Sequence, residues 1–325
     1  MNRREFVKNT AITALAGSMI APIEALAEPA VTHLESADLS AITGQPNGYP
    51  LNFLAIGDWG RNGEYNQAEL AVQMGDWAKN HPTDFIISAG DNIYPKGVVS
   101  EMDPAWHYSF EDVFKAHSLQ VDWFAILGNH DYYCDPDAQV RYSKVSRRWN
   151  MPARYYKKEV SLGNNNGKVL FLMIDTQPII YNIDSQHPTQ QLEWIDKTLQ
   201  EASADVKWKI VVGHHPAYTA GPRINNYDTL SIRKALAPIL VKNKVDLYLS
   251  GHDHSLQHLK PNDFVHQFIS GAGSELTQVS TGVPDSRFEK SENGYMYFSV
   301  NSNEIAVKAI SYKGEMLYET SLKKA

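Results

Sequence analysis

The 325-residue sequence contains a single cysteine, Cys134. An intrachain disulfide is therefore excluded, and so is a metal site built on several thiolates. A strong excess of positive charge is also missing. Thirty Lys+Arg stand against 37 Asp+Glu, for a net charge of −7, which is not the footprint of a general nucleic-acid binder. Long apolar runs are lacking too. The run at residues 11–23 is shorter than the roughly 18 residues a spanning helix needs, and it contains Gly, Ser and Pro. Repeats, low-complexity tracts and Pro/Gly/Ser-rich linkers are missing beyond residue 50, which favours one domain over two. With 43% hydrophobic and 11% aromatic residues, the chain has the composition of a globular protein with a sizeable core. What is plentiful is oxygen and imidazole, with 37 carboxylates and 12 histidines. Any metal here is expected to be held by those groups.

Residues 1–27 read as an export signal. Arg3-Arg4 is followed by Phe6 and Lys8, then by the mildly apolar run, then by Ala25-Leu26-Ala27, a small-x-small cleavage pattern. The Arg-Arg-x-Phe-x-Lys arrangement resembles a bacterial twin-arginine signal, so the expected partner of this segment is the export machinery. The expected location is periplasmic or secreted. With no cysteine near the cleavage site, a lipid anchor there is excluded, and no stable membrane anchor is expected. Residues 28–50 read as a leader or linker, and residues 51–325 as the catalytic domain.

Beyond that point one pattern recurs: a short apolar run, a glycine, then polar residues. Phe53-Leu54-Ala55-Ile56 precedes Gly57-Asp58. Phe85-Ile86-Ile87-Ser88-Ala89 precedes Gly90-Asp91. Trp123-Phe124-Ala125-Ile126-Leu127 precedes Gly128-Asn129-His130-Asp131. Ile210-Val211-Val212 precedes Gly213-His214-His215. Val245-Asp246-Leu247-Tyr248-Leu249 precedes Ser250-Gly251-His252-Asp253-His254. Such runs predict buried strands. Helical spacing lies between several of them: Leu70, Met74, Trp77 and Ala78; Leu192, Ile195 and Leu199, with Thr189 as N-cap; Ile232, Leu236 and Leu240, with a kink expected at Pro238. Strand–helix alternation predicts an α/β fold with parallel pairing. Residues 264–269, 295–300, 305–310 and 316–320 predict further consecutive strands, forming a second sheet packed on the first.

In parallel sheets, ligands bind just beyond the C-terminal strand ends, where all five polar clusters fall. A single Gly-Asp is usually a turn. Five clusters at equivalent places are not explained that way. Asp58, Asp91, Tyr94, Asn129, His214, His252 and His254 offer too many donors for one ion. They suit two ions that share a bridging carboxylate, the arrangement that clamps both oxygens of an in-line displacement.

Gly57-Asp58-Trp59-Gly60, Gly90-Asp91-Asn92-Ile93-Tyr94, Gly128-Asn129-His130-Asp131, Val211-Val212-Gly213-His214 and Gly251-His252-Asp253-His254 resemble, in order, the five motifs of the purple acid phosphatases. These belong to the calcineurin-like metallophosphoesterases, and the likeness is strongest to the small tartrate-resistant type. The resemblance implies an αββα sandwich of two mixed sheets flanked by helices. It implies one metal held by Asp58, Asp91, Tyr94 and His254, and a second held by Asp91, Asn129, His214 and His252. Fe(III) in the Tyr94 site is implied, with Fe(II), Zn or Mn in the other. The implied activity is hydrolysis of phosphate monoesters by a metal-bound hydroxide. Tyr94 takes the place of the Asp-x-His ligand usual in other members of the superfamily, where this chain has Gly60.

For catalysis, His130 is expected to bind phosphate and protonate the leaving oxygen, with Asp131 holding its ring. Arg223 stands where relatives often have a second histidine. It is read either as a phosphate clamp or as an ordinary loop arginine. His215 is expected to point away from the site. Tyr132, Tyr133, Tyr155 and Tyr156 are expected in the core rather than the cleft. His187, His258 and His266 fall in no motif, Asp253 reads as a supporting or turn residue, and Cys134 shows no sign of reactivity.

Small phosphomonoesters are the expected substrates, with phosphoproteins and nucleotides also open. Three alternatives remain: a phosphodiesterase or nucleotidase on the same metal pair, a non-catalytic exported binding protein, and redox chemistry at an iron pair.

Overall fold

The computed structural model describes residues 48–163, 165–261 and 264–324, which belong to one compact unit. The export signal at 1–27 and nearly all of the 28–50 leader lie outside the described residues.

The apolar runs pair into two seven-stranded mixed sheets. In the first, β1 (Leu51–Ile56), β2 (Phe85–Ser88), β3 (Asp122–Ala125) and β4 (Trp149–Asn150) lie parallel in that order. In the second, β5 (Tyr156–Ser161) pairs antiparallel with β6 (Lys168–Met173). Next to it, β7 (Val206–Val212), β8 (Leu247–Ser250) and β10 (His266–Ser270) continue in parallel. The hairpin strand β9 (Leu256–Leu259) and β11 (Ser286–Lys290) finish that sheet.

One expectation is corrected here. Of the four late strands expected in a second sheet, β10 lies there and the other three do not. β12 (Gly294–Val300), β13 (Glu304–Ser311) and β14 (Met316–Lys323) return to the first sheet, antiparallel on β1. β1 is buried along its whole length, so its free edge has to be covered, and the β12–β14 meander covers it.

The sheets pack face to face through aromatic side chains. Phe53 stacks on Phe85 and Phe298, with ring centroids 5.2 and 4.7 Å apart. It meets Phe171 of the other sheet edge-on at 5.5 Å. Such contacts add to a large buried apolar area. On the outer face of the second sheet, α3 (Thr176–Tyr181), α4 (Pro188–Gln200) and α5 (Tyr227–Lys242) bury Ile180, Ile195, Leu199, Ile232, Leu236 and Leu240 in a second core. α1 (Gln67–Asn80) buries Leu70 and Met74 into the main core, with Trp77 and Ala78 half-buried against it, and α2 (Pro136–Tyr142) adds Ala138 and Tyr142. Pro188 opens α4 with His187 at its cap, so Thr189 lies inside the first turn and is not the N-cap. Proline is well suited to that first position because its missing N–H would have no partner there. Pro238 lies within α5. Among the described residues, no helix is long and apolar enough to cross a membrane.

Candidate metal centre

The parallel strands β1, β2, β3, β7 and β8 end on one side of the sandwich, and each is followed by one polar cluster. Three of the residues there adopt left-handed backbone conformations: Asp58 at φ 60°, Asp91 at φ 49° and His252 at φ 69°. Non-glycine residues seldom do so, and such strain concentrates at functional sites. The neighbouring glycines allow close approach. A Cβ on Gly128 would lie 2.2 Å from Asp91 Oδ1, and one on Gly251 would lie 2.4 Å from Asp58 Oδ2. Trp59 anchors the first loop, donating from its indole nitrogen to Ser88 Oγ at 2.7 Å.

The donors form two sets joined by Asp91. The Tyr94 hydroxyl lies 2.9 Å from Asp91 Oδ2, 3.2 Å from Asp58 Oδ1 and 3.0 Å from His254 Nε2. On its other side, Asp91 Oδ2 lies 3.4 Å from His214 Nε2, which is 3.2 Å from Asn129 Oδ1. The His252 ring lies 5.1 Å from that of His214. All seven predicted donors therefore converge. Two imidazoles have their free nitrogen fixed by a partner on the other one. His214 Nδ1 bonds the Ala89 carbonyl at 2.8 Å, leaving Nε2 to face Asp91. His252 Nε2 bonds Asp228 Oδ2 at 2.6 Å, leaving Nδ1. Partners of this kind set the tautomer of a metal-binding histidine.

The electrostatics fit a cation. Asp58 and Asp91 are both fully buried, and burying two carboxylates together is costly unless positive charge compensates them. Burial pushes the Asp91 carboxyl up, but the neighbouring His214 imidazolium overrides this and holds it well below the usual range. Burial lowers His214, yet Asp91 raises it to about 9. Burial and then the Asp91 and Asp58 charges push the Tyr94 phenol well above its ordinary value, with Arg61 opposing. Asp58, Asp91 and Tyr94 bring three oxygen groups together in one pocket. Its oxygen and imidazole donors suit hard or borderline metal ions.

Other candidates resolve differently. The His130 ring is not held by Asp131. Its Nδ1 bonds the Pro95 carbonyl at 2.7 Å, and its backbone N–H donates to Asp91 Oδ1 at 2.8 Å. The buried Asp131 carboxylate instead accepts from the backbone N–H of Asn92 and Gly128 and from Gln139 Nε2. It clamps the second and third loops together. Arg223 pairs with buried Asp253 at 2.8 Å. Its charge is felt at His252 and His254.

His215 does not point away from the site. It is buried, bonds Thr176 Oγ1 through Nδ1 at 2.7 Å, and packs 4.3 Å from the His252 ring. Tyr156 is core, donating to the Ala125 carbonyl at 2.9 Å. Half-buried Tyr132 bonds Asp175 and Arg154, and Tyr155 packs against Trp194. Tyr133, by contrast, is exposed beside His130. His187 lies at the start of α4, His258 and His266 pair with each other, and Cys134 is exposed.

Two contributors escaped the sequence. Asp228 lies in the first turn of α5, 14 positions past His214 and outside every motif. Arg61 places its guanidinium 3.9 Å from the centre of the Tyr94 ring. Neither carries a local signal, because only the tertiary fold brings it to the site.

Comparison with known proteins agrees with this geometry. Residues 51–256 match the calcineurin-like phosphoesterase family. Purple acid phosphatase 4 of Arabidopsis thaliana is 35% identical, over 87% of this chain and 87% of its own length. Tartrate-resistant acid phosphatase type 5 of Oryctolagus cuniculus is 36% identical, over 84% of this chain and 91% of its own. Among solved structures, GAP50, described as the anchor in the inner membrane complex of Plasmodium, is 27% identical. It superposes with a TM-score of 0.76, over 85% of this chain and 89% of that one. The chain belongs to the purple acid phosphatases, within the calcineurin-like phosphoesterase family.

Proposed function

We propose that this chain is an exported acid phosphatase that hydrolyses phosphate monoesters at a binuclear metal centre. The observation that carries this reading is the position of Asp91, whose Oδ2 lies between the Tyr94 hydroxyl at 2.9 Å and His214 Nε2 at 3.4 Å. One carboxylate thereby belongs to two donor sets. Asp58, Asp91, Tyr94 and His254 would hold Fe(III), the ion acidic enough to keep a buried phenol ionised. Asp91, Asn129, His214 and His252 would hold Fe(II), Zn or Mn. When bound, such a pair supplies a nucleophile at acidic pH and neutralises charge on the phosphoryl oxygens.

The chain's own residues do the rest. His130 has Nδ1 committed to Pro95, so Nε2 is the nitrogen that carries a proton to the leaving oxygen. Its packing 4.4 Å from the Tyr94 ring holds it at the edge of the first donor set. Arg223, steadied by Asp253, offers its remaining N–H groups to a phosphate. Export through a twin-arginine route is supported by Arg3-Arg4 and the Ala25-Leu26-Ala27 pattern. The catalytic domain would then begin at residue 51.

Parallel assays on a monoester and a diester test the reading. Preferential monoester hydrolysis supports it, whereas preferential diester hydrolysis favours the phosphodiesterase alternative. The description of GAP50 as an anchor favours a second reading, a non-catalytic binding protein on the same fold. A metal-replete protein with no hydrolysis of either ester would establish that one.

A further inference from the structure

The loop between β1 and α1 carries strained backbone. Asn62, Tyr65 and Asn66 have φ of 56°, 54° and 63°, and Gly63 has φ 83°. Non-glycine residues hold such conformations only where surrounding contacts enforce them. Buried Gln67 supplies those contacts. Its Oε1 accepts from the backbone N–H of Arg61 at 3.0 Å and of Gly63 at 2.7 Å. Its Nε2 donates to the Ser109 carbonyl at 2.7 Å, and the Asn62 backbone N–H donates to Ser109 Oγ at 3.1 Å. The loop is thereby tied down on both sides of Gly63, and Arg61 leaves it from a fixed point.

The Arg61 guanidinium lies 3.9 Å from the centre of the Tyr94 ring and 5.3 Å from that of Tyr65. Its Nη2 pairs with Glu275 Oε2 at 2.6 Å, and Glu275 is half exposed. An ion pair so open to solvent contributes little by itself. Arg61 Nε is buried and makes no hydrogen bond, which is costly. The contact that compensates is the face of the Tyr94 ring. A cation there interacts with the ring electrons, and more strongly where water is excluded. Tyr94 is only 5% exposed.

We propose that Arg61 sets how strongly the Tyr94 phenolate donates electrons to Fe(III), with Glu275 holding and moderating its charge. The inference rests on the Fe(III) reading of the Tyr94 site above. Arg61 acts through the Tyr94 ring and is a positioning residue, not a metal donor. Positive charge over the ring lowers the energy of its electrons, so the phenolate gives less of them away. A less donating phenolate leaves the ferric ion a stronger Lewis acid.

The readout is the visible band in which an electron passes from the phenolate to the ferric ion. A cation over the ring holds that electron more tightly and raises the energy of the transition. In the metal-replete protein, Arg61→Met, which keeps an apolar stem and removes the charge, should move the band maximum to longer wavelength by on the order of 10 nm. Its kcat on a monoester should fall about fivefold. Arg61→Lys keeps a cation and should hold both values nearer the wild type. Glu275→Gln keeps the guanidinium and removes its opposing charge, so it should move the band to shorter wavelength.

Iron is measured in every sample. An unmoved band or full turnover in iron-loaded Arg61→Met overturns the proposal. So does an equal shift in Arg61→Lys, which would mark a packing effect. If Arg61→Met loses its iron, Glu275→Gln decides: a shift to shorter wavelength supports the proposal and an unmoved band overturns it. A wild type with no iron and no visible band would end the Fe(III) reading, and the role of Arg61 with it. A wild-type band that no variant moves would end the role of Arg61 alone.

Discussion

The Asp228 carboxylate lies 2.6 Å from Nε2 of His252, and its other oxygen accepts from the Thr229 backbone N–H at 2.8 Å. The carboxylate is fixed at the start of α5 and in turn fixes the imidazole. His252 thereby keeps Nδ1 for the second donor set. Removing a partner of this kind typically weakens metal binding by about 10- to 100-fold. Asp228→Asn is expected to lose the second metal on dialysis against a weak chelator while the first is retained. Elemental analysis before and after dialysis reads this out, and unchanged retention of both metals would contradict it.

His130→Ala should lower kcat by about 100-fold or more, with the metal content of the purified protein unchanged, because no bond of the His130 side chain goes to a metal donor. Steady-state kinetics and elemental analysis of the same preparation check both halves. Full turnover would remove His130 from the mechanism.

Arg223→Ala is expected to raise KM for monoesters about tenfold, the worth of a hydrogen bond to a charged group, with a smaller effect on kcat. Arg223 already pairs with buried Asp253, so the substitution also leaves that carboxylate without its cation. A parallel thermal melt separates lost binding from lost stability. An unchanged KM would show that Arg223 serves Asp253 alone.

Acid stability should be limited by a pair of histidines away from the metal donors. His258 Nε2 lies 3.0 Å from His266 Nδ1, and His258 Nδ1 lies 3.0 Å from the Tyr318 hydroxyl. Burial, reinforced by the charges of His266, Arg287 and Lys260, lowers His258 to about 3. Burial, with Lys260 and Arg287, lowers His266 to about 4. An unfolded histidine takes up its proton near pH 6.5 and the folded pair does not. Their stabilisation is therefore complete above that pH and is lost as the pH falls toward 3 or 4. For His258 alone the loss at pH 5 is about 2 kcal/mol. Urea midpoints at pH 7 and pH 5 should differ less in His258→Gln than in the wild type, and an equal difference would contradict the assignment.

The sequence shows the site more clearly than the architecture around it. Each strand that carries a donor announces itself by an apolar run ending in glycine, because a buried parallel strand and a sharp turn toward a ligand both leave local signatures. Strands β5 and β11 are polar along much of their length and give no such signal. The partition of β12–β14 into the first sheet is also hidden, because strand order depends on which edge needs covering. The same limit applies within the site. Asp58 and His254 sit in motifs, whereas Asp228 and Arg61 reach the site only through neighbours distant in the chain. Alternation along an extended strand would turn His215 away from His214, but β7 ends at Val212, so the rule does not reach that residue.

The most direct test of the central claim is elemental analysis of the purified chain. Two metal ions per chain, one of them iron, are expected, with the iron lost or its visible absorption abolished in Tyr94→Phe. A chain that contains no metal and still releases phosphate from a monoester would contradict the assignment.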